Sequence, residues 1–482
     1  MKFPTIQRLV APTALLVLSA CANIMPPAQV PMVVAPAWQA PLPHQGSLAA
    51  LSNWWQRQGD ALLLELIEAA QAVSPSVAQA QARIASARAD QAAANAALLP
   101  NLNAQASASR GVSQPDVPVT STLQAGLQAS WELDLVGANR AVSRAAQAQV
   151  QSSQALWHDA RVSVAAEVAN LYHGLRNCQQ QLAVARRDAQ SRQQTARLSA
   201  ISATAGFVAP SVAAMARASA AEANSRATQQ ASACELATKG LVALTGMSEP
   251  DLQKKLALAL MDKWQEATFT VANLPVEVIS QRPDVFAAER DVVLASAQVG
   301  SAKAQQWPRL SLSGSIGSLR VSSGDTSTRL STWSFGPLAL SLPLFDAGQR
   351  AAQVTAAQAS YQAAVVAYQG RVRQAVREVE EALIQLDSTQ ARAADAQVAT
   401  QGYAQSLAAT QNRYDQGLAS LMELEDARRS ALAAESALLA LGLERQRAWV
   451  ALYRAVGGGF EPGQVSASGG LARRVGVRAQ FG

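Results

Sequence analysis

The two halves of this chain repeat one pattern of residues. Residues 75–102, PSVAQAQARIASARADQAAANAALLPNL, align with residues 283–310, PDVFAAERDVVLASAQVGSAKAQQWPRL, at an offset of 208 (283 − 75). Further along, the offset is 211 (417 − 206), and it pairs Gly137 with Gly348, Glu167 with Glu378, Gly206 with Gly417, and Arg217 with Arg428. Chance similarity between alanine-rich segments does not explain why the breaks recur in one order. Each half therefore predicts a helix, two strands, a very long helix, a glycine break and another long helix.

The long helices carry a heptad pattern. In the second half, apolar residues follow alternate spacings of four and three, at Tyr361, Val365, Tyr368, Val372, Ala375, Val379, Ala382 and Leu386. The positions 211 residues earlier repeat this pattern with interruptions at Gln154 and Arg161. Such a seam predicts that each helix packs along its length against a neighbour. A helix over 138–205 would be about 100 Å long, which suits a conduit across a cell compartment.

Four segments predict strands, at 101–112, 122–135, 309–320 and 332–344. In the second of them, alternate positions from Leu123 to Leu133 are apolar, and the positions between them are polar or glycine. Strands of about 9–11 residues with one apolar face are what a membrane barrel requires, and a half-buried soluble sheet is the alternative. Four strands cannot close on themselves in lipid, so a barrel predicts a trimer with twelve strands.

The N-terminal segment predicts export. MKFPTIQRLVAPTALLVLSACANI has a short basic start and an apolar run too short to span a bilayer, which is typical of a signal peptide over residues 1–20. Small residues before Cys21 resemble a bacterial lipobox, so we expect Cys21 to carry diacylglycerol and an acyl chain; an ordinary signal peptide is the alternative. Beyond residue 21 no run of 18 apolar residues predicts a membrane helix.

The composition does not favour a nucleic-acid-binding protein or an enzyme. The formal charge of +6 is spread over 482 residues, without a run of Lys or Arg. The three histidines are scattered, and no cysteine or histidine cluster has metal-ligand spacing. We find no Gly-x-Ser-x-Gly elbow and no phosphate-binding loop. The sequence therefore predicts no catalytic residue, no metal and no cofactor other than the lipid on Cys21.

Four motifs carry a resemblance to a known family: WELDLVG at 131–137, QRPDV at 281–285, LPLFDAGQR at 342–350 and LSNWWQRQGDALLLELI at 51–67. With the duplication and the lipobox, they resemble the TolC-type outer membrane efflux proteins, in the NodT/OprM-like lipoprotein branch. The resemblance implies a mixed α and β membrane protein: a homotrimer with a twelve-stranded barrel in the outer membrane, four strands per chain, continued by a twelve-helix barrel in the periplasm. It also implies an exit duct that works with a periplasmic adaptor and an inner-membrane pump.

This resemblance divides the chain into six parts. They are a signal peptide (1–20), a lipidated N-terminal and equatorial segment (21–74), a first repeat (75–247), an equatorial connection (248–282), a second repeat (283–456) and a flexible tail (457–482). Two functions of one fold stay open from sequence: efflux of small molecules and type I protein secretion. A trimeric coiled-coil structural lipoprotein is the alternative from another class.

The resemblance also assigns the glycine breaks and the residues after the second break. Gly206 and Gly417 would be hairpin tips that face the adaptor. Met422, Glu423, Asp426 and Arg429 match the stretch that lines the closed periplasmic aperture, where threefold symmetry would form an acidic ring. A solvated charged helix face is the alternative interpretation.

Two cysteines lie at equal distances from the first tip. Cys178 is 28 positions before Gly206 (206 − 178), and Cys234 is 28 positions after it (234 − 206). Antiparallel arms would bring these positions to one level, and the periplasm is oxidising. We therefore predict a Cys178–Cys234 disulfide, with two buried free thiols as the alternative.

Overall fold

The computed structural model describes residues 25–35, 37–40, 54–112, 118–258 and 275–461. The elements in chain order are α1 Trp54–Arg57, α2 Ala61–Val73, α3 Pro75–Ala96, β1 Asn101–Gly111, β2 Thr120–Leu133, α4 Ala138–Thr204, α5 Pro210–Thr245, α6 Glu249–Leu258, α7 Pro275–Ser280, α8 Pro283–Ala304, β3 Arg309–Ser323, β4 Thr326–Ser341, α9 Gln349–Asp415 and α10 Leu421–Ala455. The order α3-β1-β2-α4-α5 recurs as α8-β3-β4-α9-α10, as the duplication predicts. The predicted signal peptide, Cys21 and the tail from 462 onward lie outside the described residues.

The described residues divide into two compact units. The sheet unit comprises those within 25–32, 81–155 and 286–371, and the helical unit comprises those within 33–80, 156–285 and 372–461. Each unit takes segments from both repeats. The compact units therefore do not coincide with the repeats, because each repeat contributes two strands to one shared sheet.

The sheet is antiparallel, in the order β1-β2-β3-β4. The repeats meet where β2 pairs with β3, from Thr120 opposite Ser323 to Leu133 opposite Leu310. This register places most of the large apolar side chains of the four strands on one face, in cross-strand rows that include Ala104–Leu127–Ile316–Trp333 and Leu102–Ala129–Gly314–Phe335. The other face carries mainly Gln, Asn, Ser and Thr side chains, with Leu319, Val321 and Leu330 near the end where β3 turns into β4. β1 and β4 form the two edges.

The last strand differs from its predicted bounds. β4 begins at Thr326 rather than at 332, because its pairing with β3 continues up to Ser323 opposite Thr326. That extension contains Ser, Thr, Arg and one apolar residue, Leu330, which is out of phase with Trp333, so periodicity could not find it. A register shift between Leu312 and Gly314 sets these residues opposite Leu338 and Phe335. This bulge keeps both apolar side chains of β4 on one face although they are three positions apart.

Both long helices begin at one kind of aspartate cap. The Asp134 carboxylate accepts hydrogen bonds from the backbone N–H of Asn139 (3.2 Å) and Arg140 (2.9 Å). In the second repeat the Asp346 carboxylate accepts them from the backbone N–H of Gly348 (3.1 Å) and Arg350 (3.2 Å). These carboxylates satisfy amide groups that the first turn of a helix leaves free. The LDLVGANR and LFDAGQR segments therefore direct the chain from strand into helix.

The helical unit has an aromatic and aliphatic core. The Trp54 ring stacks on Tyr453 with centroids 4.7 Å apart, and Leu63, Leu66 and Leu252 are fully buried. Along α9 the predicted heptad positions are buried except Val365, which is half-buried.

No single helix of the described residues is long and apolar enough to cross a membrane. Only α2 and α3 taken together reach that length and composition, and they are bent by 51° relative to each other.

The residues after α10 are packed where the sequence predicts the start of a flexible tail. Phe460 is buried and lies 5.3 Å from the ring of His158. Gly457 has φ +94° and approaches the main chain of Gln281 so closely that a Cβ atom there would be 2.4 Å from its carbonyl oxygen. Glycine at 457 is required because the backbone, not a side chain, fills this space.

Candidate functional site

The two helical hairpins turn in the same way. After α4, the backbone N–H of Phe207 donates to the carbonyl of Ser202 at 2.9 Å, and Gly206 has φ +78°. After α9, the N–H of Leu418 donates to the carbonyl of Arg413 at 2.7 Å, and Gly417 has φ +74°. These bonds close the last helical turn around a left-handed glycine, which lets the chain reverse. Both predicted tip glycines therefore lie at reversals.

The tips present apolar side chains to solvent. Phe207 is 84% exposed and Leu418 is 65% exposed. No heavy atom lies within 4 Å of the position that a Cβ would take at Gly206 or at Gly417. Among the described residues, nothing therefore packs against either tip glycine, and an exposed apolar tip is suited to contact with another protein.

The predicted aperture residues lie in the first turns of α10. Glu423 forms a capping box with Ser420: its carboxylate accepts from the Ser420 N–H at 2.8 Å, and its own N–H donates to the Ser420 hydroxyl at 3.2 Å. Asp426 and Arg429 form an i,i+3 ion pair at 3.4 Å, with side chains 64% and 76% exposed. Met422 is 63% exposed. The structure thus groups the four residues on one exposed end of α10, and their role in an aperture stays a prediction.

A buried ionic network lies beside them, on another face of α10. The Arg192 guanidinium of α4 pairs with the Glu425 carboxylate of α10 and with Asp188 at 2.9 Å. Arg192 also donates to the Ser219 hydroxyl of α5 at 2.7 Å, and that hydroxyl donates to Glu425 at 2.7 Å. Arg192 and Glu425 are 6% and 8% exposed. This network therefore joins both arms of the first hairpin to the second.

Arg428 extends the network to the fourth helix. Its guanidinium donates to Glu425 at 3.0 Å, to the Thr195 hydroxyl of α4 at 2.9 Å and to the Gln411 side chain of α9 at 2.8 Å. Arg428 is 4% exposed. Because burying a charge costs several kcal/mol unless it is paired and hydrogen-bonded, the four helices must stay in register for the network to be stable. We call Asp188, Arg192, Glu425 and Arg428, with their hydroxyl and amide partners, the inter-hairpin network.

Sequence reasoning missed this network although it aligned one of its members. The offset of 211 pairs Arg428 with Arg217, but Arg217 is exposed and Arg428 is buried. Glu425 and Arg428 have the same i,i+3 spacing as Asp426 and Arg429, one position further round the helix. One helical position turns a side chain by about 100°, so only knowledge of the helix face separates the buried pair from the exposed one.

The first hairpin is cross-linked further from its tip. Cys178 of α4 and Cys234 of α5 form a disulfide, with S–S 2.12 Å and Cα–Cα 5.6 Å. The Gln230 amide donates to the Cys178 sulfur at 3.2 Å. In the second repeat the position equivalent to Cys178 is Thr389, which is buried and donates to the Leu386 carbonyl at 2.9 Å. The cross-link is therefore confined to the first hairpin.

One buried histidine of α4 lies beside a carboxylate. Burial lowers the pKa of His173 to about 4, although the negative charge of Asp60 acts in the opposite direction. The neighbouring Tyr172 hydroxyl donates to Asp60 at 2.6 Å, and burial together with that hydrogen bond raises the pKa of Tyr172 to about 12. At neutral pH this site therefore holds a neutral imidazole and a neutral phenol. Among the described residues no group of three or more His, Cys, Asp or Glu is placed to hold a metal ion.

Comparison with known proteins matches the whole duplicated region. The profile of the family described as outer membrane efflux protein matches residues 66–247 and 274–458. The outer membrane protein OprJ of Pseudomonas aeruginosa is 31% identical over 446 residues, which cover 89% of this chain and 91% of OprJ. The pyoverdine export outer membrane protein OpmQ of the same organism is 28% identical over 481 residues, covering 96% of this chain and 98% of OpmQ. The crystal structure of the open state of the Neisseria gonorrhoeae MtrE outer membrane channel superposes with a TM-score of 0.76 and 27% identity, covering 91% of this chain and 98% of that one.

Proposed function

The chain belongs to the outer membrane efflux protein family, and from this membership we propose that it is the exit duct of a tripartite efflux system. The predicted family and fold class are confirmed, its location is the outer membrane, and its relatives are channels rather than enzymes. In the proposed system an inner-membrane pump supplies the energy and a periplasmic adaptor connects the pump to this chain. The chain itself conducts small molecules passively.

The four-stranded sheet carries the proposal that the working unit is a homotrimer. β1 and β4 leave one row of backbone N–H and C=O groups each without a neighbouring strand in the sheet. Hydrocarbon cannot satisfy such groups, so the edges must pair when the apolar face meets lipid. If β4 of each copy pairs with β1 of the next, three copies form a closed barrel of twelve strands, wide enough to keep a lumen.

The first described residues support a lipid anchor at Cys21. Four positions after that cysteine, Met25 lies against Gly300, and the Pro26 carbonyl accepts from the Ser296 hydroxyl at 2.6 Å. The Pro27 carbonyl accepts from the Tyr361 hydroxyl at 2.8 Å. These contacts fix the start of the segment on α8 and α9 within the sheet unit. An acyl group on Cys21 would therefore be tethered to the unit whose apolar face is proposed to meet lipid.

The hairpin tips and the start of α10 support a gated periplasmic entrance. The exposed Phe207 and Leu418 would meet the adaptor. Under threefold symmetry Glu423 and Asp426 would place carboxylates around the entrance, favouring cations, while the inter-hairpin network would hold the second hairpin against the first. Opening would then require that network to break or to shift.

Small molecules are the favoured cargo, because OpmQ, which aligns over almost the entire chain, is named for the export of pyoverdine. The test uses a strain from which this gene is deleted and its pump and adaptor genes are retained. We expect the deletion to raise the accumulation of fluorescent pump substrates, and plasmid-borne parent to restore efflux. Efflux unchanged by the deletion, together with loss of a secreted polypeptide from the medium, would instead indicate type I secretion.

The assembly is tested separately from the cargo. We expect purified protein in lipid to migrate as a trimer on SDS gels without boiling and as a monomer after boiling. A sealed monomer in lipid would contradict the proposed duct whatever the efflux assay shows.

A further inference from the structure

Three arginines lie on the mainly apolar face of the sheet, near the end where β1 turns into β2 and β3 turns into β4. Arg110 shares its side of β1 with Leu102 and the alanines between them, Arg320 shares its side of β3 with Leu312 and Ile316, and Arg329 shares its side of β4 with Trp333. All three are exposed. The helices attach at the other end of the strands, so these arginines lie near the end of the sheet that is remote from the helix junctions, with three residues of β3 beyond Arg320.

Two of these arginines face each other directly. Arg320 pairs with Arg329 across β3 and β4, an arrangement of like charges that is unfavourable without a counter-charge. Arg320 donates a hydrogen bond to the Ser327 hydroxyl at 3.0 Å. A hydroxyl carries no charge, so this bond does not neutralise the guanidinium. Among the described residues of the strands and their turns, the acids are Glu132, on the polar face near the helix end, and Asp325 in the β3–β4 turn. Among the described residues at this end of the sheet, the three arginines thus outnumber the one acid, Asp325.

The cluster lies at one boundary of the apolar band. Leu310 is the apolar position of β3 that lies nearest the helices, and it is ten positions from Arg320 along the strand (320 − 310). At about 3.4 Å per residue and a tilt of about 40°, this corresponds to a height of about 26 Å, close to the ~25 Å apolar band of outer-membrane barrels. The arginines would therefore lie where lipid acyl chains end and headgroups begin.

A shallow concavity lies beside two of the three arginines. Arg110 and Arg320 border this open depression of about 430 Å³, with Leu123 and Ser322 in its wall, and Arg329 lies outside it on β4. The next cross-strand row toward the helices has only small side chains, Ala106, Ala125, Ser318 and Ser331. The row beyond it contains Leu127, Ile316 and Trp333. A headgroup at the arginines could thus continue into acyl chains lying over small and then large apolar residues.

We propose that Arg110, Arg320 and Arg329 bind the phosphate groups of a phosphorylated glycolipid in the outer leaflet of the membrane. This inference rests on the proposed function, because it requires the apolar face of the sheet to meet lipid and the β1–β2 and β3–β4 turns to face the cell exterior. Arginine guanidinium groups bind phosphate through paired hydrogen bonds, and a phosphate at Arg320 and Arg329 would remove their mutual repulsion. Each protomer would then hold its own lipid, which would stabilise the barrel wall on the outer side.

The test compares lipid A binding by the parent trimer and by R110Q/R320Q/R329Q. The probe is diphosphorylated lipid A in nanodiscs, with the retained lipid counted by native mass spectrometry. We expect about one retained lipid A per protomer in the parent and a loss of affinity on the order of 100-fold in the triple variant. Dephosphorylated lipid A should bind both proteins equally weakly, and millimolar inorganic phosphate should not displace the lipid from the parent.

R309Q is the control, because Arg309 lies on the polar face at the helix end of β3, so its replacement removes an arginine from the same strand without changing the cluster. R309Q should bind lipid A as the parent does. Equal binding by the triple variant and the parent would overturn the proposal, as would displacement by free phosphate alone. Heat-modifiable trimers and efflux should persist in the triple variant, so failure of this inference is distinguishable from failure of the proposed duct.

Discussion

Arg192 of the first hairpin and Glu425 of the second form a buried ion pair. The pair joins α4 to α10 near the hairpin turns, and Ser219 and Arg428 complete its hydrogen bonds. Removing Arg192 would leave Arg428 as the ion-pair partner of Glu425 and Arg226 as that of Asp188, so a buried network would lose one of its charges, whereas an exposed pair loses little when it is broken. The inter-hairpin network is therefore expected to hold the two hairpins together more strongly than the exposed pairs between the same helices.

The first prediction removes one member of this network. We expect R192M to lower the free energy of unfolding by up to about 3 kcal/mol, because Arg428 and Arg226 still pair with the remaining carboxylates, and to raise the conductance of the trimer in planar bilayers. R187A is the control, because Arg187 also connects α4 to α10, through Glu435 at 2.6 Å, but its side chain is 67% exposed. That variant should change the free energy of unfolding by at most about 1 kcal/mol. Equal effects of the two substitutions would show that burial of the network does not matter for closure.

The second prediction concerns the proposed acidic ring. We expect D426N to raise the leak current and to reduce the preference for cations, because each trimer would lose three carboxylates at its entrance. Thermal stability should hardly change, since Asp426 and its partner Arg429 are both largely exposed. E444Q, on the same helix and in an exposed pair with Arg392, is the control and should leave selectivity as in the parent. If D426N conducts as the parent does, Asp426 belongs to a solvated helix face and not to an aperture.

The third prediction concerns the cross-link in the first hairpin. Maleimide should modify neither Cys178 nor Cys234 in unreduced, denatured protein and should modify both after reduction. C178S is the matched control, because it should expose one reactive thiol at Cys234 without reduction. In the chain-entropy description, closing a loop of sequence separation 56 stabilises the folded chain by about 4 kcal/mol, so C178S/C234S should lower the free energy of unfolding by up to that amount. Two labelled thiols before reduction would exclude the bond.

Much of the architecture could be predicted because the sequence is internally duplicated. Breaks that recur 211 residues apart predict hairpins, and the equal spacing of Cys178 and Cys234 from Gly206 predicts which helix levels meet. The alternation of apolar and polar residues predicted the strands wherever apolar residues occupy every second position. It failed at residues 326–331, where the strand continues through Ser, Thr and Arg with a single leucine, Leu330, and main-chain pairing alone defines it.

The inter-hairpin network could not be predicted in the same way. Arg192, Glu425 and Arg428 are ordinary charged residues in long helices, and only the packing of four helices turns them inward. The two repeats also differ there, since Arg217 is exposed where Arg428 is buried. Duplication therefore predicts where helices lie but not which polar residues they bury.

The fourth prediction is a loss of stability in mild acid. The Tyr172 ring lies beside His173, and its hydroxyl is hydrogen-bonded to Asp60 and Arg176. Burial lowers the pKa of His173 in the folded chain to about 4, below the 6.5 of an exposed histidine, against the opposing effect of the Asp60 charge. Between these two pH values the unfolded chain takes up a proton that the folded chain does not. The stabilisation by neutral His173 is thus complete above pH 6.5 and decreases by about 3 kcal/mol as the pH falls to 4. H173Q should unfold with a weaker pH dependence over this interval, measured by circular dichroism; an unchanged slope would assign the dependence to other groups.

The last prediction separates adaptor contact from folding at the hairpin tips. Phe207 and Leu418 are 84% and 65% exposed, so F207D and L418D remove little buried surface and should keep the melting temperature of the parent. If the tips bind the adaptor through these side chains, each change should weaken binding by about tenfold or more, since exposed apolar anchors contribute strongly once an interface covers them. V398D is the control, because Val398 is 69% exposed but lies 19 positions before Gly417 (417 − 398) on α9. Binding of purified adaptor, measured by surface plasmon resonance, should therefore decrease for the tip variants and not for V398D. A loss of affinity in V398D equal to that of the tip variants would place the adaptor along the helices instead of at their turns.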